Sequence, residues 1–220
     1  MSRVACVATL GVLLGSATAS AQICAGIVPF AGRPIQLFGS GLFSDNARSF
    51  GGGVAFGSAG AFGQLELGTT HFDDFDASSV NFGGGAGYQV PLDKKGAAQL
   101  CPAAGVGFVS GPKDIGGSGI DYSETDVSIG IGVGIVATRT QQVQVVPTAS
   151  IAFASANGKL KDASGSSISD SESFGIVGLG VGFVFNQQVS VKPSVFIPFA
   201  VDGASTSFGV TLAVNFGATR

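Results

Sequence analysis

Hydrophobic residues recur along this chain with a period of two. The closing segment reads SFGVTLAVNF, in which Phe208, Val210, Leu212, Val214 and Phe216 alternate with Ser207, Gly209, Thr211, Ala213 and Asn215. Upstream, Val127, Ile129, Ile131, Val133 and Ile135 alternate with Asp126, Ser128, Gly130, Gly132 and Gly134. The same holds for Val177, Leu179, Val181, Phe183 and Phe185 against Gly178, Gly180 and Gly182. Alternation of this kind puts each parity on one face of a strand, so each strand separates two unlike environments. A helix is excluded, because every interior Gly would weaken it by about 1 kcal/mol relative to Ala. Ten such segments are predicted, at 34–43, 48–57, 61–70, 79–90, 99–109, 124–138, 143–154, 172–185, 189–199 and 204–216, with the parity of the first left open.

The connections alternate in character. SAGA, RTQQ and NQQ are short, and PLDKKGAA is only somewhat longer, whereas HFDDFDAS, SGPKDIGGSGIDYS and SANGKLKDASGSSISDS are long, polar and acidic. Short turns on one side and long loops on the other, joining strands of about 9–11 residues, describe a transmembrane β-barrel. Phe72, Phe75, Phe108, Phe153, Phe174 and Phe199 cluster near the long-loop ends, and Phe50, Phe56, Tyr88, Phe183, Phe185 and Phe216 are placed nearer the short turns. Two aromatic girdles are what the two lipid interfaces of such a barrel require. Pro147 and Pro193 fall inside strands and each removes a ladder donor, so bulges are expected there.

Composition points the same way. The first residues, MSRVACVATLGVLLGSATASAQ, carry an early Arg3, an apolar run and Ala19-Ser20-Ala21, the pattern of a secretory signal peptide cleaved after Ala21. The remaining chain holds 10 basic and 14 acidic side chains once Arg3 is gone, a net charge of −4, which excludes nucleic acid as a partner. Charged residues make up 11% of the sequence, against about 25% in globular proteins. Gly accounts for 36 of the 220 residues, more than twice its usual share of about 7%. No later stretch is long and apolar enough for a membrane helix, which needs about 20 residues.

The signal peptide, the ten alternating segments and the closing FGVTLAVNF resemble the small outer-membrane β-barrel superfamily of Gram-negative bacteria. The resemblance covers nearly all of the mature chain and is one of pattern. Family members often end on an aromatic residue; here Phe216 is followed by Gly-Ala-Thr-Arg. It implies an all-β fold, an antiparallel up-and-down transmembrane barrel of about ten strands, eight being the alternative. The expected organisation is a signal peptide at 1–21, an N-terminal periplasmic, plug-like segment at 22–33 and the barrel at 34–220. Both termini are then periplasmic, and the partners are outer-membrane lipid, lipopolysaccharide and the barrel-assembly machinery.

Within such a barrel the glycine parity faces the lumen, at Gly83, Gly85, Gly87, Gly105, Gly107, Gly130, Gly132, Gly134, Gly178, Gly180 and Gly182. Walls without side chains either leave room for an inserted segment or permit tight curvature. Two cysteines remain after export. Cys101 points inward by parity at a short-turn end and Cys24 precedes the first strand, so a Cys24–Cys101 disulfide is expected in an oxidising compartment. It would draw residues 22–33 across the mouth, letting Ile23, Ile27, Val28 and Phe30 fill the lumen. Glu66 and Lys192 also fall on the inner face, where each needs a partner or water.

Candidate chemistry is sparse. The lone His71 stands beside Asp73, Asp74 and Asp76 in a loop, a pattern for a weak cation or lipopolysaccharide-bridging surface site or, less directly, an acid/base centre. No Cys/His metal spacing and no phosphate-binding glycine loop are present, so no cofactor is expected. The function expected is a structural or passive small-solute transport barrel, plugged by its N-terminal segment. An outer-membrane enzyme centred on His71 and a secreted soluble β-protein or adhesin remain as alternatives.

Overall fold

A computed structural model of the chain describes residues 24, 26–27, 35–57, 60–73, 76–94, 96–112, 120–140, 142–201 and 203–216. Residues 1–21, most of the 22–33 segment, Asp74 and Phe75 lie outside the described residues. Ten long strands follow in order: β1 (Ile35–Phe43), β2 (Ala47–Gly57), β3 (Ala61–Phe72), β4 (Ala77–Tyr88), β5 (Ala98–Ser110), β6 (Asp121–Ile135), β7 (Val143–Lys161), β8 (Ser167–Phe185), β9 (Val189–Phe199) and β10 (Ser207–Phe216). Two short pieces, Val90–Pro91 and Thr138–Arg139, add to the rim. Every neighbouring pair is antiparallel, and β10 pairs with β1, with Phe216 opposite Ile35 and Phe208 opposite Phe43. The sheet is therefore a closed barrel of ten strands, not eight.

Closure follows from the solvent. In lipid no water can satisfy a strand edge, so every backbone N–H and C=O must find a neighbour inside the sheet. The register also fixes the tilt. From Phe38 the row of partners runs one way through Gly53, Glu66, Gly83, Gly107 and Asp126 to Ala156. The other way it runs through Ala213, Ser190 and Val184 to Gln144, so the rows meet β7 at positions that differ by 156 − 144 = 12 residues. A slip of that size forces the strands to lean across the barrel axis, as in known membrane barrels.

The outside is apolar. Ile129 is 67% exposed, Leu67 62% and Phe208 61%, within a belt that also includes Leu37, Leu65, Phe82, Phe153 and Leu212. No water-soluble protein presents so continuous a band of large side chains, which sets aside the soluble alternative. The parity of β1 is settled as Gln36, Phe38, Ser40 and Leu42 inward and Ile35, Leu37 and Phe43 outward. Several outward aromatic rings lie over glycines of the next strand. A Cβ on Gly63 would come 2.8 Å from the Phe56 ring, and one on Gly175 would come 2.0 Å from that of Phe199. The ring thus covers the backbone that the missing side chain leaves bare.

The girdle prediction needs correction at three residues. Phe72 and Phe174 are buried inside the barrel, at 2% and 3% exposure. Phe50 lies toward the loop end, its ring 5.6 Å from that of Phe43. The segment read as a long loop after residue 154 is mostly strand, because β7 and β8 each run 19 residues. At about 3.3 Å per residue that is about 60 Å of strand, twice the span of β1. Its outward residues beyond Phe153 are Ser155, Asn157, Lys159 and Lys161, so this part of the wall stands in water. At the opposite end Phe185 to Gln188 closes a tight turn, with Asn186 and Gln187 both at positive φ (49° and 55°), the form that matches strand twist.

The two prolines are handled differently. Opposite Pro147 the register changes, from Gly134 facing Thr148 to Thr138 facing Val145. Four steps on one strand against three on β7 make a bulge, placed on the neighbour and not on the proline strand. At Pro193 there is no bulge. The β9–β10 pairing runs through it, with Pro193 opposite Val210, while the β8–β9 partners skip from Gly180–Ser194 to Phe183–Val191 without a change of register.

Candidate functional site

Inward-facing side chains define the lumen, and they differ along its length. At the short-turn end Cys24 is joined to Cys101 by a disulfide, with Cα atoms 6.1 Å apart. β5 supplies Cys101 on the inward parity that alternation assigns, and the bond carries the N-terminal segment inside. Ile27 is 1% exposed and packs with Phe38, Ala55, Phe62, Cys101 and Ala213 in one apolar cluster. Glycine makes this possible at one point in particular. A Cβ on Gly182 would sit 1.9 Å from the carbonyl oxygen of Gly26, which itself has φ +68°. The lumen wall and the inserted backbone touch directly, so at this position the bare wall serves insertion and not curvature alone.

Farther toward the loops the wall becomes polar. Ser49 and Thr70 share a hydrogen bond of 2.8 Å, Asn81 Nδ2 donates to Thr70 Oγ1 at 3.0 Å, and Ser79 donates to Asn81 Oδ1 at 3.1 Å. This ladder ties β2, β3 and β4 together through side chains. Glu66 projects from β3 below it, beside Gly83. Asp126 on β6 is 0% exposed, neither of its carboxylate oxygens has a hydrogen-bond partner, and it lies within electrostatic reach of both Glu66 and Glu124. Glu124 accepts a short hydrogen bond from the Tyr122 hydroxyl. Lys192 on β9, 7% exposed, lies beside Gly26 and Gly180 at the boundary between the two zones. Among the described residues it forms no ion pair, and it does not pair with Glu66.

Alternation located Glu66, Lys192 and Cys101 on the inner face. It missed the acidic partners Asp126 and Glu124, although Asp126 shares the parity of Ser128, Gly130 and Gly132 and was legible on that ground. His71 is outside the lumen. On β3 it faces outward between Arg48 and Ser78, with Nδ1 3.2 Å from Ser78 Oγ. Its Nε2 is 3.7 Å from Asp73 and 3.8 Å from Asp76, and Arg48 reaches Asp73 at 3.2 Å. Asp76 is at positive φ (46°) in the turn. The structure therefore brings His71, Asp73 and Asp76 together with Arg48, which the sequence reading did not include. The cluster stands at the loop end of the barrel, with the Asp76 side chain fully in solvent.

No protein-family model matches the sequence, and no curated protein matches it. Solved structures with a similar strand arrangement include the N-terminal β-barrel domain of Pseudomonas aeruginosa OprF, at 13% identity over 84% of this chain and 98% of that one, TM-score 0.39. Ail, the attachment invasion locus protein of Yersinia pestis, is 13% identical over 82% of this chain and 94% of its own, TM-score 0.43. Neisserial surface protein A is 14% identical over 84% and 97%, TM-score 0.44. At such values none of them bears on what this chain does, and the barrel rests on its own register.

Proposed function

We propose that this chain is an outer-membrane β-barrel whose lumen admits small solutes and whose passage is controlled by the N-terminal segment. Residues 1–21 direct export, both termini lie in the periplasm, and lipid, lipopolysaccharide and the barrel-assembly machinery are its partners. The observation that carries the reading is the Cys24–Cys101 bond with Ile27 buried between Phe38 and Phe62. An apolar seal at the short-turn end with a polar level of the lumen next to it has no use in a purely mechanical anchor, which could be filled with apolar side chains throughout. A covalent tether keeps the segment at high effective concentration for its seat even when it is displaced. The acidic wall supports entry of cationic or dipolar solutes over anions.

Single-channel conductance in planar bilayers tests this. The full mature chain is expected to conduct little, and deletion of Gln22–Gly32 to raise conductance clearly while the barrel keeps its unheated gel mobility. Unchanged conductance in a folded deletion variant would overturn the gating role.

A further inference from the structure

We infer that the lumen contains a binding site for a small zwitterion of amino-acid size, with Glu66 facing the ammonium group and Lys192 and Ser194 facing the carboxylate. Two voids meet inside the barrel. One, of about 40 Å³, is lined by Glu66, Ser49, Asn81 and Thr211; the other, of about 70 Å³, is lined by Lys192, Ser128 and Ser150. Ser194 and Phe196 line both, so the voids adjoin on either side of these two side chains. At about 10–15 Å³ for each water-sized group, the two together have room for a solute of a few heavy atoms.

The charges on the two sides are opposite and apart. Lys192 lies side by side with Ser194 over Gly180, where an added Cβ would be 2.8 Å from Lys192 Cε and 2.9 Å from Ser194 Oγ. Both groups lack a partner, since Lys192 has no ion pair among the described residues and the Ser194 hydroxyl has no hydrogen bond. Glu66 lines the other void, and Asp126, buried with two unpartnered oxygens, lies within its electrostatic reach. A buried charge is costly until it is paired. A simple anion would satisfy Lys192 and be repelled by the acidic wall; a simple cation would do the reverse. A solute carrying both charges satisfies both sides at once, and the direct Glu66–Lys192 contact that would make it superfluous does not form.

The proposal rests on the solute-handling reading only in requiring that a small molecule reach the lumen from the loop side. Its test is calorimetric titration of the detergent-folded mature chain with β-alanine, and with propionate and propylammonium as single-charge controls. β-Alanine is expected to saturate one site while neither control does. Lys192→Met and Glu66→Gln are each expected to weaken it about 30-fold, with unheated gel mobility retained. If either variant fails to fold, the comparison of the three probes on the native chain decides alone. Absence of saturation by β-alanine, or propionate or propylammonium binding as tightly, would overturn the site. Titration needs no passage through the barrel, so a failed conductance test and a failed titration are distinguishable.

Discussion

At the short-turn end the lumen is filled by Ile27, Phe38, Phe62 and the Cys24–Cys101 bond; a few residues farther along the same strands it is lined by Glu66, Ser49, Thr70 and Asn81. β3 contributes to both, with Phe62 in the first zone and Glu66 and Thr70 in the second. The contrast shows that one parity of one strand need not mean one environment. The outer parity is set by lipid and is apolar throughout the belt. The inner parity answers to whatever occupies the lumen at each level, an inserted segment at one end and small polar groups or solute beyond it. Stability at the sealed end comes from burial and from a tether spanning 77 residues; at the polar level it comes from hydrogen bonds between strands.

The sharpest way to break this contrast is Gly182→Val. Any Cβ there meets the Gly26 carbonyl at 1.9 Å, backbone against backbone, so the N-terminal segment must leave its seat. With the Cys24–Cys101 tether retained, single-channel conductance is expected to rise clearly in the folded variant. Unchanged conductance would mean that the segment adapts. A paired comparison sharpens the energetic difference. Phe62→Ala, in the apolar seal, is expected to lower stability in urea by about 3–5 kcal/mol. Asn81→Ala, which removes hydrogen bonds to Thr70 and Ser79, is expected to cost about 1–3 kcal/mol. Equal losses would show that the two zones are held in the same way.

The smallest effect lies outside both, at the tip of the tall β7–β8 hairpin. There the Asp162 carboxylate accepts hydrogen bonds from the Ser164 hydroxyl at 2.7 Å and the Ser166 amide at 2.9 Å. These hold its pKa below the usual aspartate range, the Ser164 hydroxyl most of all. A depressed pKa means that the contribution is present above the unfolded-state value and is lost as pH falls through the folded one. After correction for the intrinsic exchange rate, acidification is therefore expected to lower amide protection at residues 162–166 while protection in the barrel belt stays unchanged, and Asp162→Asn is expected to remove that pH response. A uniform change along the chain would show that the tip is not an independent unit.

Much of this molecule is legible from residue order because a membrane barrel imposes a local rule. Each outward residue must be apolar and each strand must close on its neighbours, so alternation reveals strand identity and most of the facing without knowledge of any contact, while the choice of ten strands over eight and the parity of β1 waited for the register. Cys101, Glu66 and Lys192 stand on the inward parity of their strands and line the voids of the lumen. The tall hairpin was not legible in this way, because the outward parity of β7 beyond Phe153 is polar and reads as loop; only pairing with β6 and β8 makes it strand. The bulge opposite Pro147 was displaced onto the neighbouring strand for a similar reason, since a ladder can absorb a proline from either side. Phe72 and Phe174 turned inward because they share the lumen parity of Thr70 and of Gly178, and there they pack in apolar clusters near the loop end.

What the sequence determined by itself is therefore the barrel, its facing and its thiol pair, all properties of single strands in a two-sided solvent. What only the tertiary structure decided is the content of the lumen. That Gly182 admits Gly26, that Asp126 stands within reach of Glu66, and that Lys192 remains apart from both depend on strands far apart in sequence meeting across one interior. Period-two alternation carries no information about what lies across that interior.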